Sequence, residues 1–172
     1  MFLNYLKDAA TKKIVKNTLS NARLNPSSET IKTIGILFDE TYFNERESLV
    51  KELIAQGISP SNISILVYRD KIRKSDTFDY PVFSQKDISW TATIEKKEVK
   101  DFILRGYDLL ISYYDIEKAP LLLVTHLTKA GFKVGFSSID KRLNHFMINT
   151  TAEHYQVFSD ELFKYLKILN KL

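Results

Sequence analysis

A chain of 172 residues with 44% apolar and 27% charged side chains has an ordinary globular composition, and it is long enough for one domain with a substantial core. It contains no cysteine, which excludes disulfides, thiolate zinc sites, iron–sulfur clusters and a cysteine nucleophile. The whole net charge of +4 lies on residues 1–24, where Lys7, Lys12, Lys13, Lys16 and Arg23 face Asp8 alone; the remainder is neutral, which argues against a globally basic nucleic-acid binder.

Residues 2–20 read as a basic amphipathic helix, with Phe2, Leu3, Leu6, Ala10, Ile14 and Leu19 at mostly three- and four-residue steps. NPSSET then breaks the pattern, so 1–24 is expected to be a helix, 25–32 a linker and 33–172 a single domain. IGILF at 34–38 is a continuous apolar run suited to a strand buried on both faces. ERESLVKELIAQG at 45–57 is an amphipathic helix with Leu49, Leu53 and Ile54 inward and Gly57 as its stop. ISILVY at 63–68 is a second buried strand. The charged stretch 69–83 is irregular, with a short strand expected near Val82 and Phe83 and an extended piece at 87–90. The lone tryptophan, Trp90, is expected to anchor that loop by packing.

TIEKKEVKDFILRG at 93–106 is a helix, with Thr93 able to cap it, Val99, Phe102 and Ile103 inward, and Gly106 ending it. YDLLISYY at 107–114 is a strand. APLLLVTHLTKAG at 119–131 is an apolar helix with Pro120 in its first turn and Gly131 at its end. KVGFSS and HFMIN follow as strands. The last helix spans 151–169, capped by Thr150 or Thr151, with Tyr155, Phe158, Leu162, Tyr165, Leu166 and Leu169 inward. Buried strands separated by helices require right-handed crossovers. The expected fold is therefore a Rossmann-like three-layer α/β/α domain with a mostly parallel sheet of about five strands.

No apolar run reaches the ~20 residues of a membrane span. The start MFLNYLKDAATKKIVKN scatters its charges, unlike a secretory leader, so a cytoplasmic protein is expected.

In open α/β sheets ligands bind beyond the carboxyl ends of the strands. That rule selects Asp39, Arg69, Tyr114, Asp115, Ser137 and Arg142 as candidate ligand contacts. Arg142 brings a planar fork suited to an anion, with Ser137 and Ser138 as donors beside it; alternatively, Lys141 and Arg142 only solvate the loop, paired with Asp140. The first strand-to-helix loop, DETYFNERE, has no glycine and begins with two acids that would repel a pyrophosphate, an effect a bound cation could only partly offset. Neither a dinucleotide fingerprint nor a nucleoside-triphosphate loop occurs, and no cofactor is expected. Asp39 and Glu40 could hold magnesium, but the expectation is that they solvate their loop and favour the next helix; Asp115 and Glu117 are read the same way. His145 and His154, nine residues apart, match no zinc spacing, and no metal site is expected. His126 falls within the apolar helix and is read as structural. Lys7, Lys12, Lys13 and Lys16 form the candidate partner surface, open to a protein, RNA or an anionic membrane.

The run from FDYPVFSQKDISW, through YDLLISYYDIEKAPLLLVTHLTKAGFKVGF, to RLNHFMINT and FSDELFKYLKIL resembles a family of uncharacterised proteins widespread in Bacteroidota. This resemblance spans nearly the whole chain and implies a small cytoplasmic α/β protein, with no catalytic residue to carry over. The segment from Asp108 to Phe136, where a YDLLIS strand leads through an apolar helix to KVGF, is similar to the N-terminal, acceptor-side half of heptosyltransferase-like glycosyltransferases. That family has a second domain, which binds the nucleotide sugar. With one α/β domain expected here, the likeness implies the fold rather than the complete activity. The expected function is a non-catalytic binding or adaptor domain with a protein partner. The alternatives are a small enzyme acting on an anionic or sugar-like substrate through Asp39, Asp115 and Arg142, or peripheral RNA or membrane association through the basic helix.

Overall fold

A computed structural model describes residues 2–19, 26, 27, 29–43 and 45–172. The side chains of Phe2 and Leu3 in the expected stripe, and Asn25 and Ser28 of the expected linker, lie outside the described residues. The elements run α1 (Phe2–Leu19), β1 (Ile34–Asp39), α2 (Arg46–Ala55), β2 (Ile63–Tyr68), β3 (Val82–Phe83), α3 (Lys97–Arg105), β4 (Tyr107–Tyr113), α4 (Ala119–Leu127), β5 (Ala130–Phe136), β6 (Phe146–Ile148) and α5 (Tyr155–Ile168).

The six strands form one sheet in the order β3-β2-β1-β4-β5-β6, parallel throughout. This is the doubly wound, Rossmann-like order, with its switch point between β1 and β4. The strand count exceeds the expected five because both edge strands, only two and three residues long, pair in register. β1 is buried along its whole length, as its unbroken apolar run requires. On one face Ser112 of β4 meets Thr125 of α4, and α1 and α3 lie against α4. On the other face Tyr113 and Phe136 pack against Phe158 of α5, beside α2.

Several local expectations are corrected. Among the described side chains of α1, Leu19 is buried as expected, but its buried neighbours are Thr11 and Val15, while Leu6 and Ile14 are both exposed. The helix is rotated by polar ties. Asp8 accepts the Ala119 N–H at 2.9 Å, filling an orphan donor at the start of α4, and Lys16 pairs with Glu117 at 2.8 Å. Ile54 and Leu169 are exposed rather than inward, and Trp90 is half-exposed rather than packed. α3 starts at Lys97 without a side-chain cap, and Thr93 instead bonds within the turn at 89–93. α5 starts at Tyr155, again without a side-chain cap. Gly57 and Gly106 do adopt the positive φ expected of helix stops. Gly131 does not end α4. It lies in β5, where Ser27 donates its N–H to the Gly131 carbonyl and a Cβ would stand 3.1 Å from the Ser27 Cβ.

Lys133 of β5 is buried beneath the C-terminus of α4, and its Nζ donates to the carbonyls of Thr125 at 2.7 Å and His126 at 3.4 Å. These are carbonyls that the end of a helix leaves unpaired. Burial pushes the Lys133 pKa down from 10.5 to about 8. Above pH 8 the folded chain therefore binds fewer protons than the unfolded chain, so stability rises with pH until the unfolded lysine also titrates. The slope contributed by Lys133 reaches at most roughly 1.4 kcal/mol per pH unit. Urea denaturation of wild type and Lys133→Met between pH 7.5 and 9.5, below the tyrosine range, should show a rise in wild type that the variant lacks. Equal slopes would refute this account.

Candidate functional site

The carboxyl ends of β1 and β4 carry most of the polar chemistry. Asp39, the last residue of β1, is buried and receives the Lys118 ammonium at 2.7 Å and the Thr41 N–H at 2.9 Å. Lys118 also reaches Asp70 at 3.1 Å and donates to Thr41 Oγ1 at 2.9 Å, and it lies 5.1 Å from the ring centres of both Tyr42 and Tyr68. Glu40 turns elsewhere. Its carboxylate, only 6% exposed, takes Arg46 and Arg69 at 2.8 Å each and the Tyr80 hydroxyl at 3.0 Å. The Arg46 guanidinium stacks 3.6 Å over the Tyr80 ring. Asp39 and Glu40 are therefore not loop-solvating acids. They are buried anions neutralised by cations from three other segments of the chain.

The loop after β4 shapes the other wall. Asp115 accepts the Ala152 N–H at 2.9 Å, and Tyr113 donates its hydroxyl to the Ala152 carbonyl at 2.7 Å, so the turn before α5 is held against the end of β4. Between the two walls lies a cleft of about 330 Å³, lined by Asp39, Tyr42, Phe43, Tyr114, Asp115, Ile116 and the turn Thr151, Ala152 and Glu153. It sits at the switch point, where doubly wound sheets take ligands. Among the described residues none that lines it carries a cationic side chain.

The residues selected from sequence are distributed as follows. Asp39 and Asp115 line the cleft. Tyr114 borders it, but its side chain is buried and its hydroxyl pairs with Thr125 Oγ1 at 2.8 Å, with burial raising its pKa well above the usual range. Arg69 serves Glu40, whose hydrogen bond raises the arginine's pKa. Ser137 donates to Asn149 Oδ1 at 3.0 Å. Arg142 grips Asp140 through Nε at 2.9 Å and a terminal nitrogen at 2.6 Å, and its other terminal nitrogen donates to the Lys16 carbonyl. This grip lowers Asp140 to about 2. In the basic helix, Lys7 donates to the Gln85 carbonyl, Lys12 pairs with Asp8 and Lys16 pairs with Glu117, while Lys13 is exposed. Among the described residues no group of three histidine or acidic side chains stands close enough to hold a metal.

Sequence reasoning missed Lys118, Ile116 and the 151–153 turn. Lys118 carried a signal. It occupies the N-cap position of α4, where a cation opposes the helix dipole, and such a residue usually has business elsewhere.

The chain belongs to a family of unknown function (DUF6913), whose sequence profile matches residues 7–169. No curated protein matches it significantly.

Because Glu40 neutralises two arginines from a buried position, removing its charge should be costly. Glu40→Gln is expected to lower stability by about 2–3 kcal/mol in urea denaturation, somewhat less than a fully buried pair loses because Arg69 is partly exposed. A loss under roughly 0.5 kcal/mol, typical of surface pairs, would show that the cluster is not structural.

Proposed function

We propose that this member of the family is a non-catalytic binding domain, cytoplasmic, that engages a protein partner at the carboxyl edge of its sheet. The observation that carries this reading is the allocation of side chains around the cleft. The acids and bases that chemistry would need are engaged in internal pairs: Asp39 with Lys118, Glu40 with Arg46 and Arg69, and Arg142 with Asp140. Apart from Asp115 and Glu153, what stays available is apolar. Tyr42 is 72% exposed and Ile116 51% exposed, both beside the cleft. Exposed aromatic and aliphatic groups next to a concave surface are the usual anchors of protein recognition. Asp115 and Glu153 add negative charge to the lining, so the complementary partner is a segment with an apolar anchor flanked by lysine or arginine.

The sugar-substrate reading draws on the switch-point position and on Asp39 and Asp115 sharing one cleft. An anionic substrate fits less well, because no cation is among the lining residues. The RNA or membrane reading is weakened by the internal engagement of Lys7, Lys12 and Lys16.

Two measurements test the proposal together. The first compares proteins that co-purify with wild type, with the cleft variant Tyr42→Ala/Ile116→Asp and with the helix variant Lys13→Glu. A partner retained by wild type and Lys13→Glu, but lost from the cleft variant, is the expected result. The second is thermal stability against nucleotide sugars and sugar phosphates, expected to be flat. A small ligand at ~100 times its dissociation constant would add about 2.7 kcal/mol and raise Tm by roughly 5–10 °C. Such a shift, abolished by Asp115→Asn, would overturn the protein-partner reading, as would identical partners for wild type and the cleft variant.

A further inference from the structure

A second cleft, of about 400 Å³, lies at the opposite end of the sheet, between α3 and the amino ends of β2 and β4. Its apolar wall is formed by Ile63, Ile65 and Phe102. Its floor is Tyr107, whose ring lies on Gly35 so closely that a Cβ there would stand 2.7 Å from the ring carbons. Tyr107 is 6% exposed, yet among the described residues its hydroxyl has no well-aligned hydrogen bond, although Ser64 and Arg105 approach it. Ser64 and Arg105 are the polar groups beside it, and Arg105 is swung onto the Ser64 hydroxyl rather than onto Asp101 one turn earlier. A buried hydroxyl whose neighbours are poorly aligned for hydrogen bonding is incompletely satisfied, which disfavours the folded state. Burial raises the Tyr107 pKa despite the opposing influence of Ser64 and Arg105, so the phenol keeps its proton for donation.

Three donors thus converge on one wall: the Tyr107 hydroxyl, the Ser64 hydroxyl and the Arg105 guanidinium. That set fits a carboxylate. Glu98 and Asp101 line the same cleft from α3, so its formal charge disfavours a phosphate or a simple anion. Asp101 stands four residues from Arg105, about 6 Å along the helix. The adjacent ammonium and carboxylate of one α-amino acid can reach both. Among the described residues Asp101 has one salt bridge, an exposed one to Lys97 at 3.8 Å, which is readily displaced. Ile63, Ile65 and Phe102 then meet an apolar side chain. We propose that this amino-end cleft binds a free α-amino acid with an apolar side chain, its carboxylate on Arg105, Ser64 and Tyr107 and its ammonium on Asp101. The site is separate from the partner edge and does not depend on it.

The test uses the full chain and L-leucine as probe, by calorimetric titration. 3-Methylbutylamine, which lacks the carboxylate, and 4-methylpentanoate, which lacks the ammonium, serve as comparisons. Leucine should bind saturably, and each analogue should bind at least about tenfold more weakly, the loss expected for one charge-assisted contact. Arg105→Gln should weaken leucine by a similar factor. Tyr107→Phe should weaken it about five- to tenfold while leaving the Tm of the free protein unchanged or raised, since the hydroxyl has no well-aligned internal hydrogen bond to lose. The proposal is overturned by the absence of saturation with leucine, by equal binding of leucine and either analogue, or by insensitivity to both variants. A fall in Tm of free Tyr107→Phe would also overturn it, because the hydroxyl would then be serving the protein itself.

Discussion

Two adjacent carboxylates leave the end of a fully buried strand, and the chain must neutralise both. That requirement organises the carboxyl edge of this protein. An unpaired buried charge costs several kcal/mol, so each acid recruits cations from segments far away in sequence. Asp39 takes Lys118 from the start of α4, and Glu40 takes Arg46 from α2 and Arg69 from the end of β2. The result ties β1, β2 and β4 together where no further backbone ladder can. It also does the work of a missing element. In doubly wound folds a helix usually joins the second and third strands, but here the connection at 69–81 is irregular. Tyr80 on Glu40, Arg46 over Tyr80 and Arg69 over Phe78 hold that connection in place.

The fold was largely legible because it rests on continuous patterns. IGILF, ISILVY and YDLLISYY are apolar runs of strand length, and Gly57 and Gly106 stop helices as their freedom at positive φ requires. The errors share one cause, which is tertiary contact overriding a local pattern. The apolar stripe of α1 suggested one docking face, but Asp8 on the Ala119 N–H and Lys16 on Glu117 turn the helix to bury Thr11 and Val15 beside the expected Leu19. Gly131 looked like a helix stop, whereas it admits the backbone of Ser27 to the edge of β5.

The candidate site was only half legible. The strand-end rule selected Asp39 and Asp115, and both line the same cleft. Position alone could not say which side chains remain open to a ligand. Arg142 and Asp140 are two residues apart and find each other locally, but Asp39 and Lys118 are 79 positions apart, and no spacing rule connects them. The exposed pair Tyr42 and Ile116 was hidden for a different reason. An apolar residue in a loop reads as packing until its exposure is known.

The two ends of the sheet differ in how completely their polar groups are satisfied, and the roles proposed for them follow that difference. At the carboxyl end Asp39 and Glu40 are paired within their own chain, which leaves the exposed Tyr42 and Ile116 beside the cleft. Such an edge suits docking of a preformed surface, where little must rearrange. At the amino end Tyr107 buries a hydroxyl without a proper partner while Arg105 rests on Ser64. An apolar phenylalanine at position 107 would stack on Phe102 and cover Gly35 equally well without the penalty of a buried hydroxyl. The hydroxyl therefore adds nothing to the packing over Gly35, and the amino-end site proposed above is what would use it.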